Sequence, residues 1–280
     1  MLSLILLEFR KLLGYRSVRL ALVILFLLPW IWSFAPALRD VYHLELTTMW
    51  QMPSLSLLTV MQFILPLLVG MTAAELLGAE VSAGTLAPLL LRPLERYKAL
   101  GAKYVVALLY PLLLLAALLI SSLLAGARFG IGEFNGGTGF GAGGYVGVGY
   151  LQPFEALGQI VRAFLIAAVT LAPIAALALM FSVIYMNTAA AALATIATLN
   201  IMRLLIVFPF LVPTLLTSYL DAYAGAPIKY PLPQWLINLG KNLTPDQFNN
   251  VQLALVLVIL SAFTLIISAV GLFLFEKKDL

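Results

Sequence analysis

The chain has 280 residues, 63% of them hydrophobic and 10% charged, with a formal net charge of +4. A soluble domain carries about 25% charged residues, so this composition describes an integral membrane protein with several spans. The lack of cysteine excludes disulfides, thiolate metal sites and cysteine nucleophiles, and the single histidine, His43, leaves no histidine cluster for a metal.

Residues 1–16 carry Leu2, Ile5, Leu6, Phe9, Leu12 and Leu13 at helical spacing. Glu8, Lys11 and Tyr15 fall on another face, although Leu4 and Leu7 blur the division. The pattern predicts an interfacial amphipathic helix, with Glu8, Arg10 and Lys11 as interfacial anchors and Arg16 and Arg19 at the membrane surface. A plain charged lead-in to the first span is the other reading. No small-residue cleavage site follows, so no cleavable signal is expected.

The first span is expected over 18–38, with Pro29 inside it and Trp30 and Trp32 toward its far end. A loop over 39–53, held at the interface by Trp50, precedes a second span over 54–77. Between 78 and 103 the chain gathers charge, glycine and proline, and a third span follows over 104–125. Each span has about 20 residues or more, enough to cross a hydrocarbon core of about 30 Å.

The stretch 78–103 keeps apolar spacing at Leu86, Leu89, Leu90 and Leu94, which predicts short surface helices. Gly84 permits a turn and Thr85 can cap the next helix with its hydroxyl. Pro93 ends that helix, and Arg96 and Lys103 anchor the third span at the headgroups. An ordinary basic loop would explain the arginines and lysines, but not Glu80, Gly84 and Thr85 together.

Residues 126–149 hold 11 glycines in 24 positions, which predicts a mobile outer loop extending to 154. It lacks the Gly-Lys-Ser/Thr ending of a phosphate-binding loop. The fourth and fifth spans, 155–185 and 188–216, are joined only by Met186 and Asn187, so they are expected to be antiparallel neighbours. The fifth carries small residues at Ala191, Ala194, Thr195 and Thr198, a spacing that lets membrane helices approach closely. The segment 217–250 is broken by Pro227, Pro231, Pro233 and Pro245. A short helix near 234–239 would form a helical hairpin dipping into the outer interface before the last span, 251–275.

With the N-terminus inside, ten lysines and arginines fall on the cytoplasmic side and four outside. Six spans with both termini in the cytoplasm follow. Arg203 then stands in the outer half of the fifth span, with Asn200 three residues before it. A charge there is costly and marks a substrate pathway, or else snorkels to the outer interface. Glu155, Gln159 and Arg162 recur at helical spacing at the start of the fourth span, as an interfacial face or an exit lining.

Glu80, Gly84, Thr85, Leu86, Leu89-Leu90, Pro93, Arg96 and Lys103 together resemble the signature between the second and third spans of type-2 ABC transporter permeases. The tail, Phe275-Glu276-Lys277-Lys278-Asp279, resembles that family's ending, and the topology agrees along the whole chain. The resemblance implies an all-α membrane permease forming one domain over 1–280, without catalytic residues or cofactors of its own. It implies a pair of ABC ATPase subunits that bind ATP and Mg, and a second permease, identical or related. The stretch from Glu80 through Gly84, Thr85, Leu86 and Pro93 to Arg96 would hold the coupling helix that seats in the ATPase.

That resemblance also implies export across the cytoplasmic membrane, with membrane lipids around the spans and no nucleic acid as partner. The long glycine-rich loop departs from the common pattern, puts the substrate in doubt and leaves room for a periplasmic or extracellular protein partner. The tight turn at Met186-Asn187 concentrates coupling on the first cytoplasmic loop. A membrane enzyme would need paired aspartates, a histidine base or a metal cluster at depth, and the chain offers none. An assembly or scaffold protein without transport is the remaining alternative.

Overall fold

The computed structural model describes residues 2–34, 48–85, 96–135, 150–208, 211, 215–224 and 245–278. They form eight helices: α1 (Leu2–Gly14), α2 (Arg16–Ser33), α3 (Gln51–Gln62), α4 (Ile64–Ser82), α5 (Arg96–Gly126), α6 (Pro153–Tyr185), α7 (Thr188–Leu205) and α8 (Pro245–Glu276). Two short 3-10 segments, Ala127–Phe129 and Leu216–Ala224, and a two-residue antiparallel ladder of β1 (Phe134–Asn135) with β2 (Tyr150–Leu151) complete the described structure. Among the described residues six helices are long and apolar enough to cross a membrane: α2, α4, α5, α6, α7 and α8. This is an all-helical, multi-pass membrane protein.

Prolines decide where several spans differ from the hydropathy reading. The second apolar run is two helices, broken at Phe63, whose backbone takes φ −145° and ψ −47°. The cause lies three residues on. Pro66 has no N–H to give the Gln62 carbonyl four residues back, so the ladder breaks there, and of the two helices α4 is the one long and apolar enough to cross a membrane. The fifth span ends at Leu205 rather than 216, four residues before Pro209, which has no N–H for the Leu205 carbonyl; that carbonyl accepts the Phe208 N–H instead, at 3.0 Å. The last helix begins earlier than expected, at Pro245, because a proline at the first helical position loses no hydrogen bond. The third runs from Arg96, eight residues before the expected 104. The expected helix at 234–239 lies outside the described residues, as do most of the loop 39–53 and residues 136–149 of the glycine-rich loop.

Helix α6 is the hub of the bundle. It packs against α4, α5, α7, α8 and the Leu216–Ala224 segment, while α2 lies on α5. Its alanines, among them Ala163, Ala167, Ala175 and Ala178, are fully or almost fully buried. Small side chains let backbones approach, which replaces the hydrophobic drive that lipid does not provide between helices. The turn after α6 matches expectation: Met186 takes a left-handed φ of 50°, and the Asn187 side chain accepts the Ala190 N–H at 3.1 Å.

A second close approach was not read from the sequence. Gly70, Ala74 and Gly78 recur every fourth residue of α4 and face Thr195, Ala191 and Thr188 of α7. A Cβ on Gly78 would lie 2.8 Å from the Thr188 nitrogen and 2.9 Å from its Cα. Ser182 of α6 also donates to the Ala74 carbonyl at 2.9 Å. These three helices therefore form a tight unit.

At the other end of the bundle the Trp50 indole donates to the Gly132 carbonyl at 3.0 Å, and Met49 N–H to Gly130 at 3.0 Å. With the β1–β2 pair these bonds close the base of the glycine-rich loop.

Substituting Gly78→Val should lower stability in detergent by about 1–3 kcal/mol, because backbone atoms of Thr188 must move. Gly158→Ala, which meets nothing within 4 Å, should be neutral or stabilising by up to about 1 kcal/mol. Thermal unfolding of the two purified variants beside the parent checks both.

Candidate functional site

The end of α4 is closed by backbone geometry that the sequence partly foretells. Gly84 adopts a φ of +66°, a conformation open to glycine at no steric cost. Its N–H bonds the Val81 carbonyl at 3.1 Å, and the Thr85 N–H bonds Glu80 at 3.0 Å, the paired bonds of a Schellman ending. The Thr85 hydroxyl also reaches back to the Glu80 carbonyl at 3.3 Å. Thr85 thus finishes α4, while the helix it was expected to begin lies outside the described residues, with Leu86 and Pro93. The Arg96 side chain lies outside them too, although Arg96 opens α5.

Four charges separated widely in sequence meet beneath this ending. The Lys11 ammonium binds Glu8 Oε1 and Glu80 Oε1, each at 2.9 Å. The Lys103 ammonium binds Glu80 Oε1 at 2.9 Å and Glu8 Oε2 at 2.8 Å. The result is a closed, neutral ring, Glu8–Lys11–Glu80–Lys103, tying α1, α4 and α5 together. Lys103 completes its hydrogen bonds on the Leu76 carbonyl at 2.9 Å.

This corrects the reading of Lys103 and Glu8 as headgroup anchors. The Lys103 side chain is 2% exposed, and Glu8 is buried as well. Helix α1 turns its charged face into the bundle and leaves Leu2, Leu6, Leu7 and Leu13 exposed, with Leu2 at 73%. Opposite charges already compensated within the protein release the leucine face for lipid. Arg10 stays exposed.

The ring sets the titration of its rim. Burial alone would lower the Lys11 pKa, but hydrogen bonds to Glu8 and Glu80 outweigh it and hold the ammonium above its ordinary 10.5. Burial, then the fields of Glu80, Glu8 and Glu75, push the Tyr15 phenol up to about 12. Deeper along α4, the Ser17 hydroxyl of α2 donates to the Glu75 carboxylate, and Thr72 donates to the Tyr110 hydroxyl at 3.1 Å. At the same end of the bundle, Lys278 donates to the Val183 and Ile184 carbonyls at 2.7 and 2.8 Å, capping the end of α6.

The intramembrane candidates, Asn200 and Arg203, sit at the far end of α7. Arg203 Nη2 donates to the Gln62 carbonyl at 2.6 Å, the acceptor that the break at Phe63 leaves unused. Asn200 Nδ2 bonds the Ile196 carbonyl at 3.0 Å, and both residues line a pocket with Phe63, Pro66 and Leu67. Arg162 lies elsewhere, beside an apolar groove of about 480 Å³ between α6 and α8. Sequence reasoning named Asn200 and Arg203 but not Gln62; Pro66 was the available signal.

A family model described as ABC-2 family transporter protein matches residues 4–198. A search of curated proteins found no match.

Removing Lys103 leaves two buried carboxylates, Glu8 and Glu80, to share the partly exposed Lys11, a net buried negative charge. Lys103→Met should therefore destabilise the protein by about 3–5 kcal/mol, while Arg10→Gln should change little, both read by unfolding in detergent. The folded pKa values of Lys11 and Tyr15 lie above their unfolded values of 10.5 and 10.0. Their stabilisation is then complete below about pH 10 and is lost as pH rises through the folded values. An alkaline melting series on Lys11→Met should show a shallower decline there than the parent.

Proposed function

The chain belongs to the ABC-2 family of transporter proteins, as a membrane permease of an ABC transporter, and from that premise we propose that it is the membrane-spanning half of an exporter. ATP hydrolysis then takes place on a separate pair of ATPase subunits that hold ATP and Mg, and this chain contributes no catalytic residue. A second permease, identical or related, completes the pathway, and alternating access moves the substrate outward across the cytoplasmic membrane. The whole of 1–280 acts as one permease domain.

The observation that carries this reading is the ion ring at the base of the segment between α4 and α5. A coupling segment at 78–103 must pass a displacement into the spans without absorbing it. Its base is a Schellman-closed helix end, and its first helix is clamped to α1 and α5 through Glu80. Three of the ring's four side chains, Glu8, Glu80 and Lys103, are buried and its charges balance, so its arms keep their spacing when the segment is pushed. Lys103 sits seven residues inside α5, so both helices flanking the segment share the clamp.

Orientation follows from charge: the ring end, with Lys277 and Lys278, carries the lysine and arginine excess and is assigned to the cytoplasm. In this frame α1 lies in the inner interface through its exposed leucines. The glycine-rich loop is outside, where a periplasmic or extracellular protein has access to it. Asn200 and Arg203 then lie near the outer end of the substrate pathway between α4 and α7.

Co-expression with the neighbouring ATPase tests the reading. The ATPase should co-purify with the parent chain. Glu80→Gln and Gly84→Val should each lower permease-dependent ATP hydrolysis by roughly tenfold, with Arg10→Gln as the unaffected control. Parent protein that retains no ATPase, or variants that hydrolyse ATP as the parent does, would remove the coupling role.

A further inference from the structure

We infer that Arg203 is the binding group for an anionic amphiphile, one carrying a carboxylate or phosphate on a hydrocarbon body, at the outer end of the cleft between α4 and α7. The inference deepens the pathway proposed above and rests on it for the identity of the transported species, but the site itself stands on geometry.

Level in the membrane comes first. Gly78 touches Thr188, and from that contact both chains rise at about 1.5 Å per residue. Arg203 lies about 22 Å along α7 and Gln62 about 24 Å along the second run, so they meet at one height. Measured from the ring at Glu80, that height is about 27 Å, close to the far edge of a hydrocarbon core of about 30 Å. A guanidinium there is costly unless something compensates its charge.

What compensates it in the protein is slight. The Gln62 carbonyl is neutral, and it is available only because Pro66 withholds the N–H that would have bonded it. Among the described residues this is the single hydrogen bond of Arg203, and no carboxylate pairs with it. A guanidinium has five N–H donors in a planar fork, so most of its capacity is open to a ligand. The side chain is also exposed, at the surface of α7 that borders the cleft.

The surroundings define what fits. Beneath the guanidinium are Phe63, Pro66 and Leu67 from the helix break and Ile196 and Leu199 from α7, with Asn200 as the polar neighbour. The space they enclose is about 20 Å³, room for little more than one water, so these side chains form an apolar floor beside the planar cation. A hydrocarbon body lies along that floor from the lipid side, with its carboxylate or phosphate held by the guanidinium through two parallel N–H bonds. A neutral or cationic amphiphile lies on the same floor and leaves the charge uncompensated. The Gln62 carbonyl acts as the stand-in acceptor that orients Arg203 when no anion is present.

The test uses the purified full chain in nanodiscs of zwitterionic phosphatidylcholine. The probes are a fluorescent polyene fatty acid and its methyl ester, which share the hydrocarbon and differ in charge. The acid should bind the parent roughly tenfold or more tightly than the ester. Arg203→Gln should bring the acid down to the ester's affinity, Arg203→Lys should keep part of the difference, and Arg162→Gln should leave it unchanged. Equal binding of acid and ester by the parent overturns the inference, and this comparison needs no variant to fold. Acid binding that survives in a folded Arg203→Gln overturns it as well.

Repeating the measurement on the complex with ATPase distinguishes the source of the ligand. Acid released on ATP addition is transported cargo, whereas acid retained through turnover is a resident lipid-like ligand; either presupposes the site. An ATPase that is retained while charge selectivity is absent removes this inference alone. Charge selectivity with no ATPase retained removes the exporter reading alone.

Discussion

The structure depends on one electrostatic arrangement, the closed ring of Glu8, Lys11, Glu80 and Lys103. The two carboxylates and the Lys103 ammonium are removed from water and would each carry a heavy desolvation cost if alone, while Lys11 closes the ring from its partly exposed rim. In alternating order every charge has two opposite neighbours, and Lys103 gains a backbone carbonyl besides. The ring spans 95 residues of sequence between Glu8 and Lys103, so it fixes where an N-terminal helix docks relative to two spans. Such a ring contributes less to net stability than to uniqueness: an apolar cluster of equal volume would hold α1 as firmly, but in several registers.

From the ring, α4 runs as an unbroken helix of 19 residues to the discontinuity at Phe63. Along the way it is locked to α7 through Gly70, Ala74 and Gly78 and to α6 through Ser182. The helix therefore joins a charged clamp at one end to a proline-made break under Arg203 at the other. Its packing on α7 and α6 supports α4 along this length. In the exporter reading, this is how force from an ATPase would reach a ligand about 27 Å away.

Much of the fold was legible in the sequence. Six hydrophobic runs marked six crossing helices, the two-residue connection at Met186-Asn187 fixed a helical hairpin, and Gly84 stood where a positive φ was needed. Glu80 stands out as an acidic residue in a basic loop, but its partners do not, since a lysine near the start of a span reads the same whether it snorkels or is buried. Lys103 shows the cost of that ambiguity. The break at Phe63 was missed because hydropathy averages over a window and Pro66 is itself weakly apolar. The partner of Arg203 is a backbone carbonyl, which has no signature in a sequence; only the proline that frees it does. The small residues of α7 form a visible stripe, whereas Gly70 and Gly78 of α4, which receive them, stand singly among larger apolar residues.

The most direct test of the account is a double-mutant cycle on Glu8→Gln and Lys103→Met, read by reversible unfolding in detergent. If the ring organises the bundle, the double variant will be less destabilised than the sum of the singles, with a coupling energy of about 1–3 kcal/mol. Effects that add to within about 0.5 kcal/mol would mean that the two charges act independently, and the ring would no longer explain how α1, α4 and α5 are held together.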